Sequence, residues 1–436
     1  MTKKILLLTF IAIISIANVS LSQKNEVGKQ EIKYRRSSLH TILIEADNFP
    51  RKETVLKAYN NAPFPDKYND HTIAIKSFDP KAYPVTNADR EAAGQKLTKE
   101  KDGKEAEGND AVDMPIIINK FLKDKKIASQ LAAKWFNRQA DGSFDMNLIG
   151  ERGSYDATEM AANIAKGSAR GVSSLADAGE ELIKNTFVVF SSLNFVSNEI
   201  AAAITREAAK ISANKIKIPA AQQAALKSAD AAYEKAKEGY SVWTTAYLYR
   251  LKWNDSIAAV FYNDLWMDKS KIDPKKKEAF DNTDIFELEL VGDENASSLV
   301  LFSLTEKRTE DQIVEIATIR NIDAVYAKLQ KKYDVFKTKT PLFTSDPITA
   351  KIGMKEGLEG GESFDVLEQS IDPKTGLTKY ESKGKISVDK DLIWDNRFNA
   401  GEEPALAEGE PKPVLDKTTF KGGKKFYPGM LIRQIK

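Results

Sequence analysis

The order of patterns along this 436-residue chain predicts a mixed α+β fold: an N-terminal mixed α/β domain bearing a helical hairpin insertion, then a small C-terminal antiparallel β-barrel. Three observations predict it. Short β-branched and aromatic runs alternate with helical periodicity from Ser38 to Phe195. An alanine-rich stretch covers residues 199–238, and from about Thr338 the texture changes to short strands separated by glycine turns. The domain boundaries that follow are 1–22, 23–337 and 338–436.

Residues 1–22 place Lys3 and Lys4 ahead of an apolar run from Ile5 to Ala17, with small residues Ser20 and Ser22 before Gln23. This is the pattern of a secretory signal peptide; the apolar run is shorter than the ~20 residues a membrane anchor needs. Its removal takes the side-chain balance from +2 to neutral, since it carries two lysines and no acid. Neutrality argues against nucleic acid as a partner, because phosphate binding needs clustered excess Lys and Arg. No later segment has the length of a membrane span, so the expected location is periplasmic or outer-membrane associated.

Ser38–Glu45 reads as the first strand, Arg51–Tyr59 as a helix with Val55, Leu56 and Tyr59 on one face, and His71–Ile75 as a short strand. Residues 80–113 are rich in mixed charge and read as an exposed, flexible insertion. Order returns with a helix from Pro115 to Arg138, then a strand Phe144–Ile149, a helix Thr158–Lys166 and a buried strand Thr186–Phe190. The alanine-rich segment makes two helices broken at Pro219.

Tyr240–Trp253 reads as a long strand whose face with Trp243, Tyr247, Tyr249 and Trp253 is aromatic: a core face, or a platform on which a sugar could stack. Ser256–Trp266 is helical, Phe286–Val291 and Leu299–Phe302 form a strand pair across a Gly292–Ser298 turn, and Gln312–Tyr333 closes the domain as a helix. In the barrel, Ile348, Ala350 and Ile352 alternate inward, Asp372–Gly376 is a turn, and Lys383–Val388, Thr418–Phe420 and Pro428–Arg433 are strands.

The glycine pattern Gly353, Gly357, Leu358, Gly360, Gly361 and Glu362, followed by Phe364 and Val366, resembles small SH3-like β-barrels of bacterial envelope proteins. The leader ending before Gln23, the lead-in Tyr34-Arg35-Arg36-Ser37-Ser38-Leu39 and the ending Met430-Leu431-Ile432 together resemble uncharacterised exported proteins of Bacteroidetes. The resemblance implies an envelope location and carries no catalytic residues.

Chemistry is sparse. No cysteine is present, which excludes disulfides, thiol nucleophiles and Cys-held metals, and two histidines cannot supply three His ligands. No phosphate-cradling glycine loop, G-x-S-x-G elbow, HExxH or EF-hand loop appears, so neither a cofactor nor a metal is expected. His40 falls inside the first strand, and His71 at an exposed loop edge. The candidate ligand-binding residues are Trp394, Asp395 and Arg397, which set an aromatic plate, an acceptor and a cation side by side, and Arg152 with Asp156. For each the alternative is structural: Asp395 capping a turn and Arg397 paired with an acid. Acid pairs such as Glu151 with Asp156, or Glu180 with Glu181, could serve acid/base work, but 63 acids make such pairs common. The expected function is a non-enzymatic interaction or assembly module binding another envelope component. The alternatives are a glycan or peptidoglycan hydrolase with paired carboxylates, or a carbohydrate-binding protein.

Overall fold

The computed structural model describes residues 34–94, 110–155, 178–237, 239–300, 309–371, 378–400, 415–423 and 425–435. The expected signal peptide, the Thr158–Lys166 helix, Asp156 and the Asp372–Gly376 turn lie outside the described residues.

β1 (Ser38–Ile44) leads into α1 (Lys52–Asn61), then the short strands β2 (Asn69–Asp70) and β3 (Ser77–Phe78). The helices α2 (Asn87–Ala92), α3 (Asp110–Asp124), α4 (Ile127–Trp135), α5 (Asn147–Tyr155) and α6 (Ala178–Lys184) precede the long strand β4 (Thr186–Ser197). The hairpin is α7 (Asn198–Ala213) and α8 (Pro219–Ala236), returning into β5 (Tyr240–Leu251). Next come α9 (Asp255–Val260) running into a π-helical turn, α10 (Pro274–Asn282), β6 (Leu288–Val300) and α11 (Glu310–Lys332).

The sheet is mixed, in the order β2-β1-β4-β5-β6, with β3 also paired to β1. β1 runs parallel to β2, β3 and β4, while β4, β5 and β6 are antiparallel neighbours. Alternation sorts the strand residues onto two helical layers. Phe187, Val189 and Leu193 of β4 meet Ile313, Ile316 and Val325 of α11, and Val188 and Phe190 meet Ile118, Phe121 and Leu131 of α3 and α4. A third cluster joins Trp135 and Phe136 to Phe144, Trp253 and Phe261. Among the described residues no helix is long and apolar enough to cross a membrane.

The barrel comprises β7 (Thr340–Ser345), β8 (Ile348–Ala350), β9 (Ser363–Ile371), β10 (Thr378–Val388), β11 (Thr418–Gly422) and β12 (Leu431–Gln434). It closes in the order β10-β11-β8-β7-β12-β9, all antiparallel, over Leu342, Ile348, Ala350, Phe364, Val366, Ile386 and Phe420. Closure leaves no free strand edge. The connection out of α11 is pinned by Phe336, which stacks on Tyr68 at 4.9 Å and is fully buried.

The structure departs from the sequence expectations at several points. Phe144–Ile149 is not a strand: Asp145 accepts from the Asn147 amide at 2.9 Å and starts α5, so its polar positions serve as a cap rather than an outer face. The helix expected from Pro115 to Arg138 begins earlier and breaks at Lys126, which adopts a left-handed conformation. His71–Ile75 is irregular, with pairing on either side of it. The expected Gly292–Ser298 turn is the middle of β6. A bulge opposite Leu248 and Tyr249 absorbs Val291, and at the neighbouring Gly292 a Cβ would lie 2.2 Å from the Tyr333 hydroxyl oxygen. Within 80–113, expected to be flexible, α2 has a Thr86–Asp89 capping box, and Arg90 pairs with Asp113 of α3 at 2.6 Å; residues 95–109 lie outside the described residues.

Candidate functional site

The candidate residues sit in two separate places. Arg152, on α5, lies 4.7 Å over the Trp135 ring. Its Nη1 donates to His71 Nδ1 at 2.9 Å and Ser38 Oγ at 3.2 Å, and its Nη2 donates to the Asp70 carbonyl at 2.7 Å. His71 donates from Nε2 to the Leu131 carbonyl at 2.9 Å, which assigns the Nε2–H tautomer. The imidazole also stacks on Trp135 at 4.7 Å, and burial, reinforced by Arg152, holds its pKa well below the usual histidine value. His71 is thus fully buried and accompanied, not the exposed loop-edge residue expected. The cluster braces α5 and α4 against the start of β1.

Asp395 and Arg397 engage each other. Nε and Nη2 of Arg397 donate to the two Asp395 oxygens at 2.9 and 2.6 Å, and this holds the carboxyl below the usual range. The backbone around them is a clasp. The Trp394 amide donates to Thr418 Oγ1 at 3.0 Å, and its carbonyl accepts from Met354 at 2.9 Å. Asn396 donates to Glu356 Oε2 at 2.9 Å, and Arg320 of α11 donates to the Phe398 and Asn399 carbonyls. The aromatic stripe of β5 does not form a platform. Tyr247 and Trp253 are buried in the core and only Trp243 is largely exposed.

Residues that no motif singled out line a cavity of about 160 Å³ beneath α1 and α11. Its walls include Thr41, Tyr59, Asp70, Lys76 and Tyr326. The Tyr59 and Tyr326 hydroxyls are buried without a protein hydrogen-bond partner. Next to it, sharing Tyr326, a smaller recess holds Asp323, whose carboxyl is pushed up to about 6 by burial despite Lys355 at 3.5 Å. A polar residue between Ile322 and Ala324, on the apolar side of a long helix, was the one signal the sequence offered for it.

The hairpin presents a surface of another kind. Its seam is built from Ala202, Ala213 and Ala229, with Asp230 receiving Arg206 at 2.6 Å and Lys210 at 3.0 Å. The large apolar residues point away from it. Ile200, Ile204 and Ile211 fall on one face of α7 by helical spacing and are 61–67% exposed, and Ile218 ahead of α8 is 66% exposed. Exposed Glu199, Glu207 and Lys215 share this surface, but large apolar side chains this exposed in one row are unusual. Among the described residues no three His, Asp or Glu side chains gather as a metal-binding group.

No known protein family matches this chain, and no curated protein sequence matches it.

Proposed function

We propose that the chain is an exported, non-enzymatic interaction module of the cell envelope that docks on another envelope protein through the isoleucine ridge of its α7–α8 hairpin. One observation carries this reading: three isoleucines lie in a row on the exposed face of a hairpin whose seam is alanine-packed. Burying what each exposes stabilises a complex by about 1–2 kcal/mol, so the three contribute roughly 3–6 kcal/mol, about two to four orders of magnitude in Kd. The positive-then-apolar pattern of residues 3–17 and the resemblance to exported Bacteroidetes proteins support the envelope location. The closed barrel supplies a rigid mount, tied to α11 through Arg320 and the 394–399 clasp.

The test compares the purified chain with an Ile200→Ser/Ile204→Ser/Ile211→Ser variant as bait for solubilised envelope. The same stoichiometric partner should be retained by the first and lost by the second, with unchanged circular dichroism. A partner retained equally by both refutes docking through the ridge.

A second reading, glycan hydrolysis, draws on Asp323, whose raised pKa suits a general acid and which feels the nearby Glu356 carboxylate. Both acids are occupied, however: Lys355 faces Asp323, and Glu356 Oε2 accepts from the Gly353 amide at 2.7 Å and from Asn396. Glycan hydrolysis by the purified chain that Asp323→Asn abolishes would establish this reading over the first.

A further inference from the structure

We propose that the seam between the α/β domain and the barrel binds a small dianionic oxyanion of the phosphate-monoester class, in the cavity where the α11-to-barrel connection crosses the start of β1. The cavity measures about 160 Å³ and draws its charged lining from four distant parts of the chain: Arg36, Lys67, Lys337, Lys339 and Arg433, against a single carboxylate, Asp334. Five cations facing one acid concentrate positive charge at a half-enclosed site, and an anion placed there relieves the repulsion.

Internal pairings take up part of that excess and leave Lys339 and Arg433 the least compensated. Lys337 Nζ meets Asp334 at 2.6 Å, so this cation is already paired. Lys67 Nζ is held by the Lys351 carbonyl at 2.8 Å and by Asp66 at 3.1 Å. Arg433 reaches Asp365 only at 4.0 Å, the outer edge of an ion pair. Lys339 has no carboxylate at ion-pair distance among the described residues; its ammonium lies 4.1 Å over the Tyr380 ring. Burial lowers the Lys339 pKa, while Glu181 opposes that from a distance. Arg36 adds a guanidinium stacked 5.1 Å over Tyr34.

Shape and charge select the ligand class. The cavity, about 160 Å³, has room for a tetrahedral oxyanion, whose charge its cationic lining matches. Ammonium groups act as point charges toward phosphate and a guanidinium fork adds two parallel donors. The Lys339 and Arg433 pair supplies both.

The experiment is a calorimetric and thermal-unfolding titration of the purified chain with inorganic phosphate, against sodium chloride at matched ionic strength. Phosphate should bind saturably and raise the midpoint, as a ligand selective for the folded state must, and chloride should not. Lys339→Gln and Arg433→Gln should each weaken phosphate binding about tenfold, while Lys421→Gln, an exposed lysine on β11, leaves it unchanged. The proposal is overturned by absent binding in the unsubstituted chain, by an equal effect of chloride, or by full affinity in a folded Lys339→Gln variant. If that variant does not fold, full affinity in Arg433→Gln overturns it.

Discussion

His40 makes the stability of this protein depend on pH in a way that one substitution removes. It sits in the middle of β1, fully buried, with neither ring nitrogen at hydrogen-bonding geometry to a partner. Burial pushes its pKa down from 6.5 to about 4 against the opposing Ile75 backbone, with Lys134 and Lys76 adding to the drop. Because the folded-state value is lowered, the unfolded chain binds the proton first. Stability is therefore fully present above pH 6.5 and lost as pH falls toward 4. The drop from 6.5 to about 4 corresponds to about 3 kcal/mol lost over that window. In His40→Leu the term disappears. Replacing an unpartnered buried polar group by an apolar one of similar size costs little, so the variant should match the parent to within about 1–2 kcal/mol at pH 7.5. Urea unfolding of both proteins between pH 7.5 and 4 checks this. The variant should gain about 3 kcal/mol on the parent as pH falls. Parallel pH profiles, or a His40 titration near 6.5 by NMR, would refute the reasoning.

Three further outcomes are expected. Asp323, raised to about 6, carries the opposite sign: its contribution is present below its unfolded value near 4 and is lost as pH rises through 6. Asp323→Asn should therefore gain on the parent by about 3 kcal/mol between pH 4 and 7, measured by the same unfolding series. Gly353→Ala would place a Cβ 2.2 Å from the Trp394 carbonyl oxygen and 2.5 Å from Asn396 Oδ1, so the clasp must shift; a loss of more than about 2 kcal/mol should appear in thermal unfolding. Arg152→Met strips the donor from His71 Nδ1 and a cation from the Trp135 face. It should cost about 2–3 kcal/mol and raise the His71 pKa, followed by NMR.

What could be read in advance followed from periodicity and burial. The N-terminal half of β4 and the C-terminal half of β5 are buried on both faces, so their apolar runs are continuous, and α11 combines a long repeat with a Thr309–Gln312 capping box. The barrel announced itself through glycines, of which Gly357, Gly360 and Gly361 adopt positive φ. Local ambiguity defeated other expectations. Asp145 and Asn147 alternate with apolar neighbours as a strand would, yet Asp145 receives the Asn147 amide where a helix begins. The polar stretch after Gly292 looks like a turn, yet pairs along β5. The sites were less legible still. Asp395 and Arg397 are two residues apart, and that proximity lets them neutralise each other. Arg36, Lys67, Lys339 and Arg433 are separated by up to hundreds of residues, and only the packed seam brings them to one cavity.

The ridge itself can be probed where the protein works. A photo-crosslinking residue placed at position 204, in cells exporting the otherwise native chain, should yield one discrete adduct with a different protein. That adduct should vanish when Ile200 and Ile211 are changed to Ser. An absence of any adduct, or one only of twice the chain's own mass, would contradict docking on an envelope partner.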